Sequence, residues 1–259
     1  MCIRDRLGFV NRHNRRFVAV EECLLMDSGI NNALQQVQRK TNETAQMSIR
    51  YGVNTNDFLI QPLLRSSSLQ IESGQKSYRE SLGGRDFSIS SSSFFQTNTD
   101  QAAKLSKLVC DGLELNGSEL VVDAYAGVGM FAVILSERAG KVIAIEESKS
   151  AVKDAMENIK DIDNILMLRG KTEDILCTLT EFPDYIVLDP PRSGCHSEAL
   201  SGVINLSPKK IAYVSCDLTS LARDLKVLCN EGYVLLNIQP IDMFPQTHHV
   251  ECLTILDRN

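Results

Sequence analysis

The chain has no Cys-x-x-Cys spacing: its eight cysteines, at positions 2, 23, 110, 177, 195, 216, 229 and 252, are scattered. That excludes a zinc site or a disulfide framework built from this chain alone, since both recur at short, fixed spacings. Most of the cysteines are expected to be reduced core residues. No apolar run approaches the ~20 residues needed to span a bilayer, and nothing at the start reads as a secretory leader. A cytoplasmic protein without a membrane partner is expected. Positive charge is also short, with 27 Lys and Arg against 33 Asp and Glu, a net charge of −6. The chain as a whole does not attract nucleic acid, so such a partner would need a local basic patch, and Arg12, His13, Arg15 and Arg16 form the densest one.

With 259 residues, 43% hydrophobic and 23% charged, the chain can bury a full core and reads as an ordinary globular protein, expected to be a monomer. Two zones are expected. Residues 1–95 hold alternating or irregular patterns such as Met47 to Val53 and Phe58 to Ile60, with turn clusters at Ser66 to Ser68 and Gly83-Gly84. This predicts a smaller mixed α+β portion, mostly antiparallel. Ser90 to Ser93 reads equally as a linker or an edge strand.

Residues 96–259 alternate regularly. Helices are predicted at 99–115, 129–138, 148–160, 172–179, 197–206 and 218–230. Strands are predicted at 120–125, 142–146, 165–169, 185–189, 211–215, 233–240 and 251–257. The pattern predicts an α/β fold with a parallel sheet covered on both faces. Only Ile241 to Val250 separates the last two strands, too short for a parallel crossover, so the last strand must run backwards. In such a sheet, reactive groups gather at the carboxyl ends of strands. Asp189 and Cys216 each close an apolar run, and Glu251 opens the reversed strand at the same edge, so the three can converge.

The first strand of this zone leads into Asp123-Ala124-Tyr125-Ala126-Gly127-Val128-Gly129-Met130. Gly127 and Gly129 permit a tight turn and a close backbone approach to a ligand. Glu146, 19 residues after Gly127, can accept hydrogen bonds from a ribose diol. Gly127 to Ala132 also satisfies the loose dinucleotide pattern G-x-G-x-x-G/A, which leaves a dehydrogenase open. Asp123, four residues before Gly127, and the seven-strand series with its reversed end favour the S-adenosylmethionine version of the loop.

Five segments in register, from about 94 to the C-terminus, resemble the RNA uracil-5 methyltransferases, which act on tRNA or ribosomal RNA. They are Phe94 to Asn98, Asp123 to Phe131, Leu188 to Gly194, Tyr213 to Cys216 with Leu221 to Asp224, and Asp242 to Pro245 through His249 to Glu251. The resemblance implies a class I methyltransferase, Rossmann-like, with a seven-stranded sheet. Gln96, Tyr125, Glu146 and Asp189 would contact S-adenosylmethionine beside the loop glycines Gly127 and Gly129. Cys216 would be the nucleophile, Glu251 the base, and RNA the partner. The chain departs from the family at Met130, where Asn or Thr is common, and at Lys171, in a stretch that often offers a polar or acidic cofactor contact.

Uracil carbon 5 is too weak a nucleophile to take a methyl group unaided. A thiolate that adds to carbon 6 makes carbon 5 enolate-like, and a base must later remove the carbon 5 proton so that the thiolate can leave. The target base must also leave its stack.

Other readings stand beside this one. Cys216 could be a small hydrophobe closing a strand, and Glu251 a solvated strand residue. Asp189 could simply cap a turn before Pro190-Pro191, and Arg192 could be a phosphate or uracil contact or half of a salt bridge. An Asp-Pro-Pro enzyme that methylates exocyclic amines needs no cysteine, a cytosine-5 enzyme would typically add a second cysteine, and a non-catalytic RNA-binding remnant needs no cofactor. Cys23 resembles the last of four cysteine ligands to a 4Fe-4S cluster in some relatives, or else simply packs. Met1 to Arg6 resembles translated adapter sequence, which together with Cys23 predicts an N-terminally truncated chain.

Overall fold

The computed structural model describes residues 6–41, 44 and 46–259, so the Met1 to Asp5 part of the adapter-like stretch lies outside the described residues. The chain divides into two compact units, Met1–Ser81 with Ser88–Ser91, and Leu82–Phe87 with Ser92–Asn259.

In the first unit, β1 (Gly8–Val10) pairs antiparallel with β2 (Phe17–Ala19), and β3 (Ser48–Gly52) pairs antiparallel with β4 (Asp57–Gln61). Between the two hairpins lies α1 (Ser28–Val37), an element the irregular pattern did not predict. Asp27 starts this helix by accepting the Gly29 N–H at 2.7 Å, satisfying one donor that the first turn leaves free. Ala33 and Val37 on its inner face pack with Ile60 and Leu64. β5 (Ser77–Leu82) and β6 (Arg85–Ser90) form a third ribbon, whose tip, Leu82–Phe87, is counted with the second unit. It turns at Gly83 and Gly84, whose φ values of 61° and 81° suit glycine. The ribbon ends at Ser90, so the serine run is part strand and part turn.

The second unit opens with α2 (Thr99–Leu113), capped by Asn98. β7 (Leu120–Ala124), α3 (Met130–Ser136), β8 (Lys141–Glu146), α4 (Lys149–Asn158), β9 (Ile165–Arg169) and α5 (Thr172–Leu176) follow. After them come β10 (Tyr185–Leu188), α6 (Ser197–Leu206), β11 (Lys210–Ser215), α7 (Leu218–Asn230), β12 (Tyr233–Ile241) and β13 (Glu251–Arg258). The sheet order is β12-β13-β11-β10-β7-β8-β9. Every neighbour pair is parallel except those of β13, which runs antiparallel to both β11 and β12. The predicted reversal is therefore present. Apolar strand residues such as Val122, Ile143, Ile186, Leu188 and Ile211 are fully buried between the helical layers. Each contributes ~1.5–3 kcal/mol of burial, which fixes the sheet as the rigid floor of the site.

After β7 the chain moves outward through β8 and β9, then crosses back to place β10 on the other side of β7. This reversal of winding opens a crevice between the loops that follow β7 and β10. No helix among the described residues is long and apolar enough to cross a membrane.

Candidate active site

A cavity of about 830 Å³ lies at that crevice, and Tyr125, Glu146, Thr172, Glu173, Asp189 and Cys195 are among the residues lining it. Three of the expected cofactor contacts, Tyr125, Glu146 and Asp189, thus meet there from three different strand ends.

The loop after β7 is shaped for close approach. Tyr125, Gly127 and Gly129 all adopt left-handed backbone, with φ of 70°, 57° and 86°. Only glycine takes this conformation freely, and the space beside Gly127 where a Cβ would stand is open. Glu146 ties the loop down: its Oε2 accepts the Gly127 N–H at 2.9 Å and its Oε1 the Ser148 N–H at 2.7 Å. Each carboxylate oxygen keeps further acceptor capacity for a diol. Asp123, fully buried at the end of β7, accepts the Ala132 N–H at 2.8 Å through Oδ2, while its Oδ1 has no partner among the described residues. Burial, with Glu146 adding to it, pushes this carboxyl up to about 7.

Asp189 follows β10 directly. Burial first, then the carboxylates of Glu251 and Asp123, raise it well above the usual range. Glu251 is 3% exposed, and burial pushes it up to about 7. The β11–β13 register pairs Ser215 with Cys252, and the next position on each strand is Cys216 and Glu251. Cys216 is half-buried; burial and then Glu251 raise its thiol, with Asp189 adding to the rise, while Arg192 lowers it. Asp217, the next residue, caps α7 by accepting the N–H groups of Thr219 at 3.0 Å and Ser220 at 2.9 Å, which pins the chain just past the thiol. Cys216, Glu251 and Asp189 thus act on one another electrostatically, although Cys216 and Glu251 do not line that cavity.

Gln96 is half-buried ahead of α2 and does not line the cavity. Of the two departures, Met130 is buried and also away from the cavity, while Lys171 precedes Thr172 and Glu173, which do line it. Arg192 is exposed, with its guanidinium 3.4 Å from His249 Nε2. Cys23, in the first unit, is half-buried in a loop held by Asn31, which accepts the Cys23 N–H at 2.9 Å and donates to its carbonyl at 3.0 Å. Among the described residues no group of three His, Cys, Asp or Glu side chains is gathered to hold a metal, so the residues present do not make a cluster site.

The sequence reading missed a buried network under the cavity wall. Asp224 Oδ2 accepts the Tyr213 hydroxyl at 2.6 Å and the Cys195 N–H at 2.8 Å, and its Oδ1 accepts the Arg223 guanidinium at 2.8 Å. Arg223 also donates to the Ser193 carbonyl at 2.9 Å. The network ties β11 and α7, which flank Cys216, to the loop that carries Asp189 through Gly194. A signal was available: Leu221, Asp224 and Leu228 share one helical face, and a carboxylate on an apolar face requires partners.

The strand order with its single reversed strand, and a ligand-sized cavity at the switch point, define a class I methyltransferase. The chain belongs to the tRNA (uracil-5-)-methyltransferase family, which it matches over residues 33–259. It is similar to an uncharacterized RNA methyltransferase of Synechocystis sp., 34% identical over 96% of this chain and 65% of that protein. A second uncharacterized RNA methyltransferase, from Gloeobacter violaceus, is 42% identical over 72% of this chain and 41% of that protein. The chain therefore spans about two fifths to two thirds of the length of these relatives. Among solved structures, the Pyrococcus abyssi tRNA (uracil-54, C5)-methyltransferase in complex with S-adenosyl-L-homocysteine superposes with a TM-score of 0.76 at 25% identity, covering 93% of this chain and 70% of that one. M. jannaschii TYW2 in complex with AdoMet, at 18% identity and a TM-score of 0.55 over 83% of this chain and 100% of that one, shares the fold.

Proposed function

We propose that this chain transfers a methyl group from S-adenosylmethionine to carbon 5 of a uridine in tRNA or ribosomal RNA, through a covalent adduct of Cys216 at carbon 6. The observation that carries the reading is the meeting of Cys216, Glu251 and Asp189 at the carboxyl edge, made by the reversed β13. In this reading residues 96–259 form the catalytic domain, and residues 1–95 are part of a region that helps to present the RNA.

The residues lining the cavity suit the cofactor. Glu146 offers carboxylate acceptors to a ribose, and Tyr125 and Asp189 line the same cavity; Gly127 and Gly129 do not line it, and they are assigned to the cofactor through the left-handed loop that they shape beside Tyr125. Gln96 is assigned to the same cofactor as a contact from the segment before α2. When bound, S-adenosylmethionine would supply an electrophilic methyl group on its sulfonium to the carbon 5 electron pair and leave as S-adenosylhomocysteine.

Cys216 Sγ, as thiolate, forms a bond to uracil carbon 6, and the electron pair of the carbon 5–carbon 6 double bond moves to make carbon 5 enolate-like. Arg192 offsets part of the rise that burial and Glu251 cause in this thiol, whose proton passes to solvent before the attack. Once carbon 5 carries both its proton and the methyl group, Glu251 takes the proton. The released electron pair restores the double bond and expels the thiolate. A carboxylate poised near 7 is well matched to that proton transfer.

Incubation of the chain with labelled S-adenosylmethionine and total tRNA or ribosomal RNA, followed by nucleoside mass spectrometry, tests the reading. Label in 5-methyluridine is expected. Label in an exocyclic-amine product overturns it in favour of the Asp-Pro-Pro amine chemistry, and no label with a folded chain and bound cofactor favours a non-catalytic role.

A further inference from the structure

Resting on the proposed function only for RNA as the partner, we infer that the β1–β2 hairpin is an RNA-contacting surface. Its arginines meet phosphates, and Phe9 lies under an unstacked base of a single-stranded or looped stretch.

From Arg6 to Val20 the sequence holds four arginines and His13 and no carboxylate, in a chain whose net charge is −6. Asn11 through Ala19 are all exposed. Among the described residues, Arg12, Arg15 and Arg16 form no ion pair, whereas Glu21, the first acid beyond the hairpin, is engaged by Arg39 at 2.7 Å. Side-chain hydrogen bonds brace the turn that displays them. Asn11 Oδ1 accepts the N–H groups of His13 at 2.9 Å and Asn14 at 3.2 Å, Asn14 Oδ1 accepts that of Arg16 at 3.0 Å, and Arg15 closes the turn at φ 58°.

The same hairpin exposes large apolar groups. Phe9 is 55% exposed and stands opposite Val18; Val10 is 58% exposed and stands opposite Phe17. The two pairs lie on opposite faces of the ribbon, so Phe9 with Val18 presents one apolar face and Val10 with Phe17 the other, and the arginines at the turn decide what meets them. An apolar protein face would strip water from unpaired guanidinium groups without compensation. A polyanion whose bases carry π-faces satisfies both features, since phosphates take the arginines and bases stack on the aromatic ring.

The test compares the unaltered chain with the combined variant Arg12→Gln, Arg15→Asn, Arg16→Gln, and with Phe9→Ala. Asn at position 15 tolerates the left-handed turn. Probes are a fluorescent oligouridine and total bacterial tRNA, titrated between about 50 and 200 mM KCl. In the combined variant, affinity for both RNAs should fall at least about tenfold, and the slope of log affinity against log salt should shrink by about 2, three lost contacts on a single strand. Phe9→Ala should weaken binding at least about fivefold with the slope unchanged, because stacking releases no counterions. S-adenosylmethionine affinity and the melting temperature should stay at the unaltered values.

Wild-type RNA affinity and slope in the combined variant overturn the inference, as does absence of RNA binding by the unaltered chain. Tighter capture of polyglutamate than of RNA, lost in the same variant, overturns it in favour of an acidic protein partner. Methyl transfer to uridine with unchanged binding by the variants removes the hairpin and leaves the proposed function standing. Hairpin-dependent binding without methyl transfer does the reverse.

Discussion

Gly127 donates its backbone N–H to Glu146 Oε2 at 2.9 Å, tying the left-handed loop after β7 to the end of β8. The carboxylate that would hold a ribose is thus the one that shapes the loop beside it. Glu146→Ala should lose about 1–3 kcal/mol of S-adenosylmethionine binding, since a charged hydrogen bond and its preorganisation go together, without unfolding the domain. Calorimetric titration checks this, and unchanged affinity removes Glu146 from the site.

Cys216 and Glu251 act at different times in the proposed reaction. Cys216→Ala should give neither methylated RNA nor covalent complex even with cofactor bound. Glu251→Gln keeps the shape but removes the base, so elimination should stall and a denaturation-resistant protein–RNA adduct carrying the transferred methyl should accumulate. Denaturing gel electrophoresis with methyl-labelled cofactor shows it as a shifted, labelled band. Normal turnover by Glu251→Gln, or an adduct that survives in the double variant with Cys216→Ala, sinks the two assignments.

The acidity of Glu251 gives a pH signature with a definite sign. Its carboxyl sits at about 7 in the folded chain, above its ordinary value of 4.5, so the folded state holds that proton more tightly than the unfolded state does. The resulting stability is fully present below about 4.5 and is lost as pH rises through about 7. Glu251→Gln should therefore melt higher than the unaltered chain at pH about 8, by an amount on the order of 3 kcal/mol, and the difference should vanish near pH 4. A difference that is constant across this window, in calorimetric melts, contradicts the buried, proton-holding carboxyl. In the proposed reaction, turnover should rise with pH through about 7.

Asp224 satisfies three donors with one fully buried carboxylate. Asp224→Ala strands the Tyr213 hydroxyl and the Cys195 N–H, and should destabilise the chain by on the order of 3 kcal/mol. Asp224→Asn keeps an acceptor and should cost less. Urea unfolding of both variants orders them, and an equal loss would mean that packing rather than acceptor capacity matters at this position.

Gly194 has no room for a side chain: at φ 78°, a Cβ there would fall 2.5 Å from both Asp224 Oδ2 and Arg223 Nη2. Gly194→Ala should thus displace the Asp189-to-Cys195 loop and lower S-adenosylmethionine affinity along with stability, measured by titration and melting together. Wild-type affinity in a folded Gly194→Ala chain would uncouple this network from the site.

The second unit was legible in sequence because each of its elements repeats one local rule. Short apolar runs such as Val142 to Ile145, spaced between helix-length stretches, read as buried strands, capped amphipathic stretches such as Asp217 to Asn230 read as covering helices, and the ten residues from Ile241 to Val250 are too few for a parallel return. The first unit was less legible although α1 itself carries a clear signal, with Ile30, Ala33, Leu34 and Val37 at helical spacing behind the Asp27 cap; the short strands around it have too few residues to show a period of their own.

By itself, then, the sequence determined the alternation, the reversed strand and the strand-end positions of Asp189, Cys216 and Glu251, because period, length and chain direction are local properties. Only the tertiary structure decided what those positions meet. The pairing of Ser215 with Cys252, the carboxyls of Asp189 and Glu251 raised by shared burial, the Gly127–Glu146 bond and the Tyr213–Asp224 network all join residues from different elements. Such contacts depend on register and burial, which are fixed by packing the whole sheet at once and leave no mark in any one stretch of chain.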